Sequence, residues 1–144
     1  MNTLWGAIVV VFALLAWGGQ AISWFAPSLA VKLTLAEAED AVEPVYFADI
    51  RGEALWDAFT LWIMLVAGVL LISNSSAWAY FGLVGGGTYV YFAGRGIATR
   101  VSMQHRGYRI GTAQNVRLGY ILLTVWGAMG LVTIIAAIVA LRTS

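Results

Sequence analysis

All seven carboxylates of this 144-residue chain fall between Glu37 and Asp57. Three of them, Asp49, Glu53 and Asp57, are spaced by four, so a helix stacks them on one face that Thr60 and Met64 continue. Like charges placed this way repel one another, and they persist only where cations answer them or where one of them holds a proton. Five of the eight basic residues, Arg95, Arg100, Arg106, Arg109 and Arg117, lie together further along the chain. Arg95, between Gly94 and Gly96, is the natural partner of Asp57, with Arg51 and Arg100 as alternatives, and Gln20 and Ser23 can complete a polar pocket beside them. Two chemistries fit these residues. One is a structural ion-pair network that sets helix register. The other is a proton or ligand site, because ionisable groups within a membrane are functional candidates by default.

The elements that must position these groups are membrane helices. With 61% hydrophobic and 10% charged residues, the composition lies far from the soluble average. Stretches 4–25, 53–72, 77–94 and 118–141 each meet or nearly meet the roughly 20 residues that cross a bilayer. The expected fold is all-α, a single-domain integral membrane four-helix up-down bundle over residues 1–144. The first stretch has no basic n-region, so it reads as a retained span bracketed by Trp5 and Trp24. Ser73-Asn74-Ser75-Ser76 predicts a tight turn that makes spans two and three antiparallel neighbours. Asp57 then lies about one turn inside the boundary, because too little helix separates it from Ile72 to cross alone.

Seven of the eight Lys and Arg residues fall in loops 26–52 and 95–117, which the positive-inside bias places in the cytoplasm, with both termini outside. The acidic and basic loops therefore share a face, and Coulomb attraction predicts an ionic latch between them. Within the first loop, Thr34-Leu35-Ala36-Glu37 reads as a capping box opening a short acidic helix that ends at Glu43, stopped by Pro44.

Gly85-Gly86-Gly87 in the third span weakens a helix where lipid offers no substitute hydrogen bonds. Gly82 and Gly86 form a GxxxG pair, and Gly127 and Gly130 line span four, a pattern for close helix crossing or self-association. A broken helix exposing its backbone to a ligand is the functional counterpart.

Cysteine is absent and His105 is the lone histidine, so no zinc set or reactive thiol is present. Asp49, Glu53 and Asp57 lack the surrounding phosphate chemistry that a magnesium site serves, and Asp49-Ile50-Arg51-Gly52 does not meet the aspartate-rich pattern of membrane phosphatidyltransferases. No metal is assigned, no cofactor is indicated and no catalytic motif is found. Basic residues beside apolar spans and an acidic loop do not make a nucleic-acid surface; the partner is the lipid bilayer.

Gly18-Gly19 followed by Trp24-Phe25-Ala26-Pro27, then Ala48-Asp49-Ile50-Arg51-Gly52, then Gly94-Arg95-Gly96 form an arrangement that resembles small DoxX-like four-helix bacterial membrane proteins. The resemblance implies an up-down bundle in the bacterial inner membrane, with Asp49, Arg51 and Arg95 at matching polar positions and a link to quinone-coupled redox chemistry alongside partner proteins. The leading expectation is a non-catalytic inner-membrane protein, either an accessory or assembly subunit or a binder of a lipid-like or quinone-like molecule beside Asp57 and Arg95. The alternative is a small oligomeric transporter or channel, a homo-oligomer in which Asp57 or Glu53 carries protons or cations.

Overall fold

A computed structural model describes residues 2–143, which are helical with short connections and contain no strand. The order is α1 (Asn2–Phe25), α2 (Pro27–Lys32), a 3-10 turn (Glu39–Ala41), α3 (Pro44–Thr60), α4 (Trp62–Ile72), α5 (Trp78–His105) and α6 (Ala113–Thr143). Among the described residues, three helical stretches are long and apolar enough to cross a membrane: Thr3–Phe25, Pro44–Ile72 and Ala113–Thr143. The expected third span is part of α5, which has 28 residues but is less apolar because glycines, tyrosines and Arg95 interrupt its aliphatic run.

Proline sets two helix starts. Pro27 and Pro44 stand at the first positions of α2 and α3, where the missing N–H costs no hydrogen bond and the fixed φ favours a helix. Pro44 therefore opens a helix instead of stopping one, which corrects the expected acidic helix ending at Glu43. The capping box does not form either. Thr34 has a left-handed backbone, φ 57°, and the Glu37 carboxylate turns away to accept from the Thr112 N–H at 3.2 Å and the Asn115 amide at 2.8 Å.

The second span begins at Pro44, nine residues earlier than expected, and is interrupted at Leu61. No proline or glycine causes this break; side chains enter the hydrogen-bond ladder. The Trp17 indole donates to the Ala58 carbonyl at 2.9 Å and the Trp62 indole to the Phe59 carbonyl at 2.8 Å. The Met64 N–H turns to the Leu61 carbonyl at 3.3 Å, which tightens the turn.

Neighbouring helices run antiparallel, as the paired contacts along them show. Gly6 of α1 lies against Gly68 and Ile72 of α4, and the other end of α1 is reached by Arg51 of α3. Along α5 and α6, Gly82 meets Thr133, Gly86 meets Gly130 and Ile134, Ala93 meets Gly127, and Gln104 accepts from the Tyr120 hydroxyl at 2.7 Å. All four glycines named from the sequence, Gly82, Gly86, Gly127 and Gly130, thus serve the α5–α6 contact within one chain. The helix continues through Gly85-Gly86-Gly87, so no broken helix presents its backbone there. The core gathers Val9, Ala13, Leu61, Met64, Tyr89, Phe92, Leu123 and Met129.

The acidic and basic loops do meet. Arg109 pairs with Glu43 at 3.4 Å, and the Glu43 N–H donates to the Arg109 carbonyl at 2.8 Å. Val42, Tyr46 and Ile110 form a small apolar cluster behind this contact. Gly111 has φ +125° and lies so close to Glu37 that an added Cβ would strike the carboxylate.

Candidate functional site

Helix α3 presents the carboxylate ladder to α5. The Arg95 guanidinium donates to Asp49 Oδ1 at 2.6 Å and lies 3.0 Å from Glu53 Oε1, the second contact being an ion pair without hydrogen-bond alignment. Solvent reaches only 8% of the Glu53 side chain. Asp57, one turn further, is 3% exposed, and its Oδ2 has no hydrogen-bond partner. The expected Asp57–Arg95 pair is therefore corrected: Arg95 answers Asp49 and Glu53. The reason is register. Arg95 lies ten residues before the end of α5, not at the end of a helix, and the antiparallel stagger carries its guanidinium to the first two rungs of the ladder.

Arg51 faces another way. Its guanidinium donates to the Ser23 carbonyl and, at 3.2 Å, to the Trp24 carbonyl, and it stacks 4.6 Å from the Trp24 ring centroid. It neutralises the free carbonyls at the C-terminal end of α1 and, held there, forms part of the wall of the cavity bounded by α1, α3, α5 and α6. Ser23 is also committed, donating to the Gly19 carbonyl at 2.8 Å.

Among the described residues, no carboxylate lies within ion-pair distance of Arg100. Its Nη1 donates to the Gly96 carbonyl at 3.0 Å, and its side chain rests against Gly119 of α6. Together with Gln20 and Glu53 it faces a cavity of about 920 Å³ bounded by α1, α3, α5 and α6. The walls include Leu15, Phe92, Leu122, Leu123 and Trp126, and segment 27–39 covers the loop end. On the far side the Trp126 indole donates to the Phe12 carbonyl at 3.0 Å, tying α6 to α1. Polar groups gather towards the loops, where Glu37, Tyr46 and Asn115 join Arg100.

The structure thus brings Gln20, Arg51, Glu53 and Arg100 around one cavity and Asp49, Glu53 and Arg95 into one ion cluster, with Glu53 common to both. Tyr46, Asn115 and Trp126 were not singled out from sequence. A lone indole within an aliphatic span was the available signal for Trp126, since a buried indole N–H needs an acceptor. Among the described residues, no group of three His, Cys, Asp or Glu side chains is placed to hold a metal ion.

The fold and site define a class: a protein whose described residues are all-helical, with three helices apolar enough to cross a membrane and a large, partly open cavity with one polar end. No family model, curated protein or solved structure matches the chain.

Proposed function

We propose that this protein is a four-helix up-down bundle of the bacterial inner membrane that binds one amphipathic, lipid-like or quinone-like molecule without chemically altering it, as a carrier or accessory subunit. One observation carries the reading: the cavity of about 920 Å³ has apolar walls and a polar end. Its size falls within the roughly 300–1,000 Å³ of ordinary small-molecule sites, and a few convergent polar groups on apolar walls are what such sites use for orientation. An acyl or isoprenoid chain would lie along Leu15, Leu122 and Trp126, with its head group near Arg100 and Gln20. The site is on the other side of Glu53 from the expected position beside Asp57 and Arg95.

The alternative, an oligomer that carries protons or cations on Asp57 or Glu53, was to assemble through glycine faces. Gly82, Gly86, Gly127 and Gly130 are occupied by the α5–α6 contact, so that assembly route is taken up within the chain.

Native mass spectrometry of protein extracted gently from its own membrane tests the proposal. The expected spectrum shows one retained amphipathic molecule, which is lost in Leu122→Trp, a change that fills the cavity. A wild-type protein that retains nothing when detergent is kept at its minimum overturns the reading.

Orientation has its own test. With loops 26–52 and 95–117 cytoplasmic, Asn74→Cys reacts with a membrane-impermeant maleimide on intact cells and His105→Cys reacts only after the membrane is opened. The reverse labelling pattern would invert the topology.

A further inference from the structure

A second crevice, of about 310 Å³, opens between α3 and α5. Glu53 belongs to both spaces, but the crevice is lined in addition by Asp57, Arg95, Trp56 and Tyr91. Its charges do not balance. Arg95 is held by Asp49 and Glu53, and Arg100 adds its field to Glu53 from the cavity side. Three carboxylates, Asp49, Glu53 and Asp57, thus face two guanidinium groups, and only Arg95 lies within ion-pair distance of any of them. Asp57 is left, 97% shielded from solvent, and among the described residues its Oδ2 has no hydrogen-bond partner and no cation lies within ion-pair distance. An ionised carboxylate in this state is costly, a cost relieved by a proton or by a bound cation, and the open crevice beside Asp57 has room for a cation.

The rim indicates what kind of cation fits. Trp56 is 63% and Tyr91 61% exposed, and both line the crevice. Aromatic faces attract cations most strongly when the cation is large and poorly hydrated, as an alkylated ammonium is. A hard divalent ion fits poorly, since calcium needs six to eight oxygen ligands and the crevice offers Asp57 plus a Glu53 already engaged by Arg95. The uncompensated charge is a single one, which matches a monovalent ligand.

We propose that the α3–α5 crevice binds a monovalent organic ammonium group, with Asp57 as counter-ion and the Trp56 and Tyr91 rings against its alkyl surface. The ammonium can belong to a soluble quaternary amine or to a choline lipid headgroup, two sources of one chemistry. The site is independent of the amphipathic molecule assigned to the large cavity.

The test is calorimetric titration of the full-length protein in maltoside micelles with benzyltrimethylammonium. One saturable site is expected. Asp57→Asn should weaken it by at least about tenfold, because a buried charge pair loses one partner. Trp56→Leu should weaken it by about threefold or more. Asp40→Asn, which removes an equal charge from the exposed loop, should leave it unchanged. Absence of binding to the wild type, or wild-type affinity in folded Asp57→Asn, overturns the proposal. Should Asp57→Asn lose its helical circular dichroism, the double variant Trp56→Leu/Tyr91→Leu decides: retained affinity overturns the site and lost affinity supports it. Repeating the titration with added phosphatidylcholine or phosphatidylglycerol separates the sources. Competition by the choline lipid alone supports a headgroup ligand, and equal, negligible competition by both supports a soluble amine.

Discussion

Gly86→Val is expected to leave little folded protein in mild detergent, while Gly87→Ala, one residue along, unfolds at a higher denaturant concentration than the wild type. A Cβ built at Gly86 lies 2.6 Å from Ile134 Cγ1 and 2.8 Å from the Gly130 carbonyl oxygen. The second contact is with backbone, which cannot rotate away, so α5 and α6 must separate along their longest shared seam. Overpacking of this kind costs about 1–3 kcal/mol when side chains alone yield, and more when a helix must move. The neighbouring Gly85 is closed in the same way on its other side, where an added Cβ would come within 2.8 Å of Met64 Cα in α4. Gly87 has open space around it, and alanine there recovers up to about 1 kcal/mol of helix propensity. Unfolding by increasing sodium dodecyl sulfate, followed by circular dichroism, reads all three positions. Equal behaviour of Gly86→Val and wild type would mean that α5 and α6 do not pack as described.

Arg95→Ala is the second large effect, with an expected loss on the order of 2–4 kcal/mol. Removing the guanidinium strands Asp49 and Glu53 beside Asp57, and breaking a mostly buried pair leaves an uncompensated charge whose desolvation is no longer offset. Most of the cost comes from Glu53, which is the more enclosed partner. Asp49→Asn should cost no more than about 1 kcal/mol, because that pair is partly exposed and behaves more like a surface ion pair. Adding Glu53→Gln to Arg95→Ala should recover a large part of the loss, and the double-mutant cycle gives the coupling directly. Adding Asp57→Asn instead should recover less, since Arg95 does not pair with it. A larger coupling of Arg95 to Asp57 than to Glu53 would reverse the assignment of partners.

Helix class was legible in composition and in the lengths of the apolar runs, because a long apolar segment must satisfy its own backbone hydrogen bonds, which a helix does locally. The i, i+4 ladder Asp49, Glu53, Asp57 was legible because spacing on one helix is local geometry. So was the meeting of acidic and basic loops, realised by Glu43 with Arg109. Other features were not legible because they depend on stagger between helices. Sequence depth alone placed Arg95 beside Asp57, whereas a shift along the antiparallel seam gives it to Asp49 and Glu53. The break at Leu61 carries no proline or glycine signal, and arises because the Trp17 indole on another helix captures the Ala58 carbonyl. Pro44 fits the end of one helix as well as the start of the next, and the hydrogen bond from Glu43 to Arg109 selects the start.

By itself, then, the sequence determined that the chain is helical with long apolar runs, which side chains share a helix face, and which glycines permit close approach. These follow from local periodicity and from the demand that every buried backbone group be bonded. The helices extend well into the stretches 26–52 and 95–117 expected as loops. Tertiary structure alone decided the partner of each charge, the cavity that Gln20, Glu53 and Arg100 surround, and the isolation of Asp57. Each of those depends on the relative translation of packed helices, and a shift of one turn exchanges one ionic partner for another without altering any pattern written along the chain.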